Sequence, residues 1–276
     1  MRGLWVIACC LISLGAWAQD SATPNAAEEA AYSAAVHLKD PNVRIAKLDA
    51  FLSAYPISSR REEALLELMK GATEAHQIPK SLEAAKQIVQ LDPNNVVALA
   101  VLAYWCANVE SFGTPEQEDK RKSECTGYAE QGLKALDVYA RPADLSEADF
   151  EHTKQETRAV FVQRIGTAAL LKKDYARAQK FLQMAADTKP SEFSVIYPLA
   201  LAYLNAPEPD CARGLWYVGR AISLAPDQNT KKSFAQFADN KAIAFNVDER
   251  TWSEIMSQAA KSQTPPAGFQ ITCSAK

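Results

Sequence analysis

Apolar residues recur along most of this chain at three- and four-residue spacing, in short blocks cut off by proline, asparagine or acidic residues. That period belongs to amphipathic helices rather than to strands. The clearest stretch is Ala159–Glu192. Val162, Ile165 and Ala169 form an apolar stripe on one helix, with Gly166 among them where two helices must approach closely. Asp174 and Tyr175 mark a short turn. Ala178, Leu182 and Ala185 form the stripe of a second helix, and Pro190 ends the unit. The same layout occupies Glu62–Asn95. Leu65, Leu68, Met69 and Ala72 make one stripe, Ile78, Leu82, Ala85 and Ile88 the other, and LDPNN from Leu91 to Asn95 is the exit. A proline there cannot continue the helix.

The remaining blocks fit around these two. Ala26 to Leu38 reads as a helix broken at Asp40-Pro41, and Ile45, Leu48, Phe51 and Leu52 follow at helical spacing. Tyr55 closes that helix, Pro56 stops it, and Ser59 is placed to cap the next. Val96–Asn108 opens a third full unit with Leu99, Leu102, Ala103 and Cys106. Its second helix is expected to resume only at Tyr128, Gly132, Ala135 and Leu136, after an insert Glu110–Lys122. Connections of this kind usually span only a few residues. The insert reads as a solvated loop or as a loop that touches a partner. Ser146-x-x-Asp149 starts a helix that nothing breaks before Lys172, longer than a repeat helix needs. Phe193–Asn205 is the next first helix, and Gly214, Val218, Ala221 and Pro226 complete its unit. Lys231–Val247 and Arg250–Lys261 are two amphipathic helices without the repeat signature, suited to shielding the end of a stack. Ser262 to Lys276 reads as an irregular tail.

These registers resemble the tetratricopeptide repeat, a helix–turn–helix of about 34 residues. FLSAYPISSRREEALLEL, from Phe51 to Leu68, resembles the junction between repeats in periplasmic and outer-membrane-associated members of that family in Gram-negative bacteria. The layout is also similar to an uncharacterised group of secreted repeat proteins of the acidobacterial type, which brings no activity with it. The resemblance implies an all-α, tetratricopeptide-like helical-repeat solenoid over residues 26–228. Extra C-terminal helices would cover 229–261 and a tail 262–276.

The N-terminus adds a compartment. Arg2, the apolar run Leu4 to Leu14 and the small residues of Ala16-Trp17-Ala18 form a secretory signal over residues 1–18, with Gln19 first after cleavage. The rival is a lipoprotein box, Val6-Ile7-Ala8-Cys9, with Cys9 lipidated. No later apolar run is long enough to span a bilayer. Cleavage leaves Cys106, Cys125, Cys211 and Cys273. Cys106 and Cys125 flank the insert and are expected to pair across an antiparallel helix hairpin. Cys211 and Cys273 are available for a second bridge.

A formal net charge of −3 with no basic block argues against nucleic acid, which needs a cationic surface. His37, His76 and His152 are isolated, no G-x-S-x-G elbow occurs, and no glycine loop fits a phosphate. Neither catalysis nor a cofactor is expected. What remains is surface. The first helix of each pair lines the concave side of such a stack. By helical spacing the residues it presents there are Lys70, Tyr104, Asn108, Thr167, Leu171, Tyr197, Leu201 and Leu204. Tyr197, Leu201 and Leu204 form a second apolar stripe opposite the packing stripe of Ile196, Leu199, Ala200 and Tyr203. That second stripe must be buried by a partner or by the terminal helices. The expected function is a periplasmic or secreted module that binds another protein or peptide segment in its groove. The alternative is a structural component of a cell-envelope assembly.

Overall fold

The computed structural model describes residues 26–105 and 114–274. Among them there are twelve helices and no strand: α1 (Ala26–Val36), α2 (Pro41–Ala54), α3 (Arg61–Glu74), α4 (Ile78–Leu91), α5 (Val96–Trp105), α6 (Pro115–Asp137), α7 (Glu147–Leu171), α8 (Tyr175–Thr188), α9 (Phe193–Leu204), α10 (Cys211–Ser223), α11 (Gln228–Ala244) and α12 (Glu249–Ala259). The chain is an all-α stack of helical hairpins. Each helix from α1 to α10 packs on the next as an antiparallel hairpin. The odd-numbered helices also meet each other, α1 on α3, α5 on α7 and α7 on α9, so they form the inner layer. Among the described residues no helix is long and apolar enough to cross a membrane.

Local chemistry sets the helix ends. Asp40 accepts hydrogen bonds from the amides of Asn42 (2.8 Å) and Val43 (3.3 Å), and Pro41 fills the first helical position, where no N–H is needed. Asp174, Asp210, Asp227 and Asp248 cap α8, α10, α11 and α12 by accepting from the amide three residues on. Ser146 does the same for α7 at 3.1 Å, as its spacing predicts. At α3 the cap expected of Ser59 is absent: the helix begins at Arg61 with no side-chain cap. Ser58, not Ser59, accepts from the Arg60 amide at 3.0 Å, and its hydroxyl donates to the Glu28 carboxylate of α1. Ser58 thus orders the turn before α3 and ties it to α1.

The core between the layers falls into three neighbouring clusters among the described residues. Leu48, Leu65, Met69 and Ile88 fill it at the N-terminal end, Leu99, Leu136, Phe161 and Ile165 in the middle, and Leu182, Ile196, Leu215 and Trp216 beyond. Burying each large side chain contributes about 1.5–3 kcal/mol. Glycine permits close approach at two crossings. A Cβ on Gly166 would lie 2.7 Å from Leu182 Cγ and 2.9 Å from its backbone nitrogen, and the Phe161 ring lies directly over Gly132.

The insert differs from expectation. Helix α6 begins at Pro115 and runs 23 residues, so most of the stretch read as a loop is helical. Thr114 accepts from the Gln117 amide, and the Gln117 side chain accepts from the Thr114 amide at 2.9 Å. This capping box, with proline at the first position, is a start signal that the apolar period could not reveal, because the first turns of α6 carry almost no buried residue. Residues 106–113 lie outside the described residues, and with them Cys106 and Asn108. The signal segment and Cys9 lie outside them too.

Beyond the repeats, α11 and α12 pack on α10. The tail is irregular in backbone but anchored. Phe269 meets Trp216 edge-on at 5.1 Å, the Ser274 amide donates to the Phe245 carbonyl at 3.1 Å, and a disulfide joins Cys273 to Cys211 of α10 across 6.5 Å between Cα atoms. That separation suits a bridge. The tail contacts supply the placement of Cys273 that sequence spacing leaves open.

Candidate partner-binding cleft

The second apolar stripe of α9 is closed by the chain itself. Tyr197 stacks on Phe193 (5.6 Å, 4° between planes) and meets Phe234 of α11 at 4.2 Å. Burial pushes its phenol pKa up. Leu201 is half-buried, and Leu204 is a core residue seated on Gly214 of α10. Leu204 is therefore unavailable to a partner, and Tyr197 presents only part of its ring. The physical cause is that a helix apolar on both faces buries both, and α11 supplies the cover.

The other predicted residues scatter. Lys70 is exposed and paired with Glu67 at 2.7 Å on its own helix. Thr167 is half-buried. Leu171 is 68% exposed and lines an apolar hollow of about 480 Å³ with Asp119, Lys122, Thr126 and Ala168, between α6 and α7. Cys125 is buried on α6; its expected partner Cys106 is not among the described residues.

Tyr104 is placed differently. It is 48% exposed, sits edge-on to Trp105 at 4.9 Å, and stands at the end of α5 where α7 crosses it. Here the inner layer opens into a cleft of about 360 Å³. Ala103 and Tyr104 form one wall, Val160, Gln163 and Arg164 of α7 the floor, and Lys189, Glu192 and Ser194 the far side. The polar groups are held. The Gln163 amide donates to the Ser194 carbonyl and hydroxyl oxygens, both at 3.2 Å. Burial works against the charge of Lys189, but hydrogen bonds to Glu156 (3.1 Å) and Glu192 (3.2 Å) outweigh it and hold the pKa up. Arg164 Nε donates to the Ala103 carbonyl at 3.1 Å, and burial, with Arg121 nearby, pulls the guanidinium pKa down.

Of the described residues singled out by spacing, only Tyr104 lines this cleft. Gln163, Arg164 and Ser194 are additions. Arg164 lies beside the stripe of Val162 and Ile165, where a charged side chain ordinarily reads as solvated. Only the crossing of α5 over α7 encloses it.

No protein-family model matches the chain, and no curated protein matches it. Among solved structures it is similar to a thermophilic TPR protein from Thermus thermophilus, at 15% identity and a TM-score of 0.39, over 78% of this chain and 99% of that one. At that distance the likeness carries no argument about function.

Proposed function

We propose that this protein is a periplasmic or secreted interaction module, without chemistry of its own, that holds a segment of another protein in the inner cleft between α5, α7 and the α8–α9 turn. The observation that carries this reading is a contrast of two aromatic faces. Tyr197 is covered by α11, whereas Tyr104 keeps 48% of its surface exposed beside a polar, ready-made cleft. A half-exposed tyrosine offers apolar area and a hydroxyl together, as binding anchors do. The compartment rests on Arg2, the apolar run to Leu14 and Ala16-Trp17-Ala18. An intact mass starting at Gln19 supports it, and a diacylglycerol adduct on Cys9 overturns it.

A second reading, a structural part of an envelope assembly, is favoured by one feature. The first hairpin, α1 and α2, carries an apolar groove of about 420 Å³ lined by Ala31, Leu38, Val43, Phe51 and Tyr55. Photocrosslinking in intact cells separates the two. An ultraviolet-activated residue at position 104 should capture a partner under the first reading. Capture from position 43 alone would favour the second.

A further inference from the structure

The cleft also holds a charge with no counter-ion among the described residues. Lys189 and Glu192 on its far wall neutralise each other, and Glu156 completes that group. No carboxylate among the described residues lies within ion-pair distance of Arg164; its one hydrogen bond there goes to the Ala103 carbonyl. A guanidinium has five N–H donors in a fixed fork, so most of its capacity is unused. Half-enclosing such a charge is unfavourable unless an anion shares the site. The hydrogen bond to Ala103 fixes the group between α5 and α7, so a ligand meets it already oriented. Tyr104 and Val160 flank it with apolar surface, and Gln163 and Ser194 edge it with polar groups.

We propose that this cleft takes the carboxylate of an acidic side chain on an extended partner segment, with Arg164 as counter-ion and Tyr104 and Val160 against the aliphatic stem. The inference rests on the inner cleft being the partner surface and names what that surface selects. Arginine matches a carboxylate with paired, charge-assisted hydrogen bonds, stronger than neutral ones. The cleft volume of about 360 Å³ leaves room for a side chain and its flanking backbone. The site differs from simple electrostatic capture. The chain has a formal net charge of −3, so the preference must come from this one enclosed cation rather than from a field.

Fluorescence anisotropy on the mature chain tests it. The probes are a labelled, C-terminally amidated heptapeptide of alternating alanine and glutamate, the same peptide with glutamine, and orthophosphate as competitor. The glutamate peptide should bind about tenfold more tightly than the glutamine peptide, the scale of one charge-assisted hydrogen bond. Arg164→Gln should erase that difference while the thermal midpoint holds or rises, since an enclosed lone charge is removed. Arg164→Lys should keep part of the preference. Equal binding of the two peptides to the wild type overturns the proposal, as does failure of both to bind or a preference that survives Arg164→Gln. Displacement of the glutamate peptide by orthophosphate at equal concentration also overturns it, in favour of a small-anion site. If both peptides bind equally and Tyr104→Ala weakens both, the inner cleft stands as a partner surface and only the acidic preference falls.

Discussion

A methyl group is too large for position 166. An added Cβ would press on Leu182 Cγ and on the Leu182 backbone nitrogen, and the backbone cannot step aside as a flexible side-chain tip can. Gly166→Ala should therefore destabilise by roughly 1–3 kcal/mol from overpacking, partly offset by about 1 kcal/mol of helix propensity. Urea unfolding measures it, and a variant as stable as the parent would show that α7 and α8 can separate freely. This glycine was legible in the sequence because it interrupts an apolar stripe where only close packing explains it. Arg164 was not. Its enclosure comes from the Ala103 carbonyl on a distant helix, and no spacing along α7 reports that. The cap expected of Ser59 is absent for a related reason. The turn before α3 is held instead by a hydrogen bond from Ser58 to Glu28, thirty residues earlier, which local spacing does not report.

Element boundaries were legible wherever apolar period and cap coincide, as at Asp174 with Ala178 or Ser146 before the long α7. They were hidden where a helix begins outside the core. The first turns of α6 are held by the Thr114 cap and by Glu118 pairing with Arg121 and Lys122 rather than by core burial, so Thr114→Ala should cost about 1 kcal/mol locally. Hydrogen exchange should show it as faster amide exchange at the start of α6, with the rest of the helix unchanged. Uniform loss of protection along α6 would mean that the extension is integral to the hairpin. At the other end of the stack, α8, α9 and α10 are tied by one side chain. The Tyr203 and Tyr217 hydroxyls donate to Gln183 Oε1 at 3.3 and 3.2 Å, and burial pushes both phenol pKa values up. Gln183→Leu should leave both buried hydroxyls without that acceptor and cost roughly 1–3 kcal/mol, read as a lower urea midpoint with an unchanged slope.

For the molecule as a whole, the C-terminal segments decide which surfaces stay open. The tail is held over α10 by the Cys211–Cys273 bridge, 62 residues apart, and by Phe269 on Trp216. Reduction should cost roughly 4 kcal/mol in the chain-entropy description and shift tryptophan emission to the red as Trp216 gains water. An unchanged spectrum and midpoint would mean that the tail is held without the bridge. Helix α11 closes the face of Tyr197 and leaves that of Tyr104 open, and this division underlies the whole functional account. The most direct measurement compares Tyr104→Ala with Tyr197→Ala, each scored for thermal midpoint and for affinity toward a crosslinked partner. Tyr104→Ala should weaken the partner by roughly 1–3 kcal/mol with little change in midpoint, while Tyr197→Ala lowers the midpoint by several degrees and leaves affinity intact. The reverse pattern, with stability lost at Tyr104 and affinity lost at Tyr197, would contradict it.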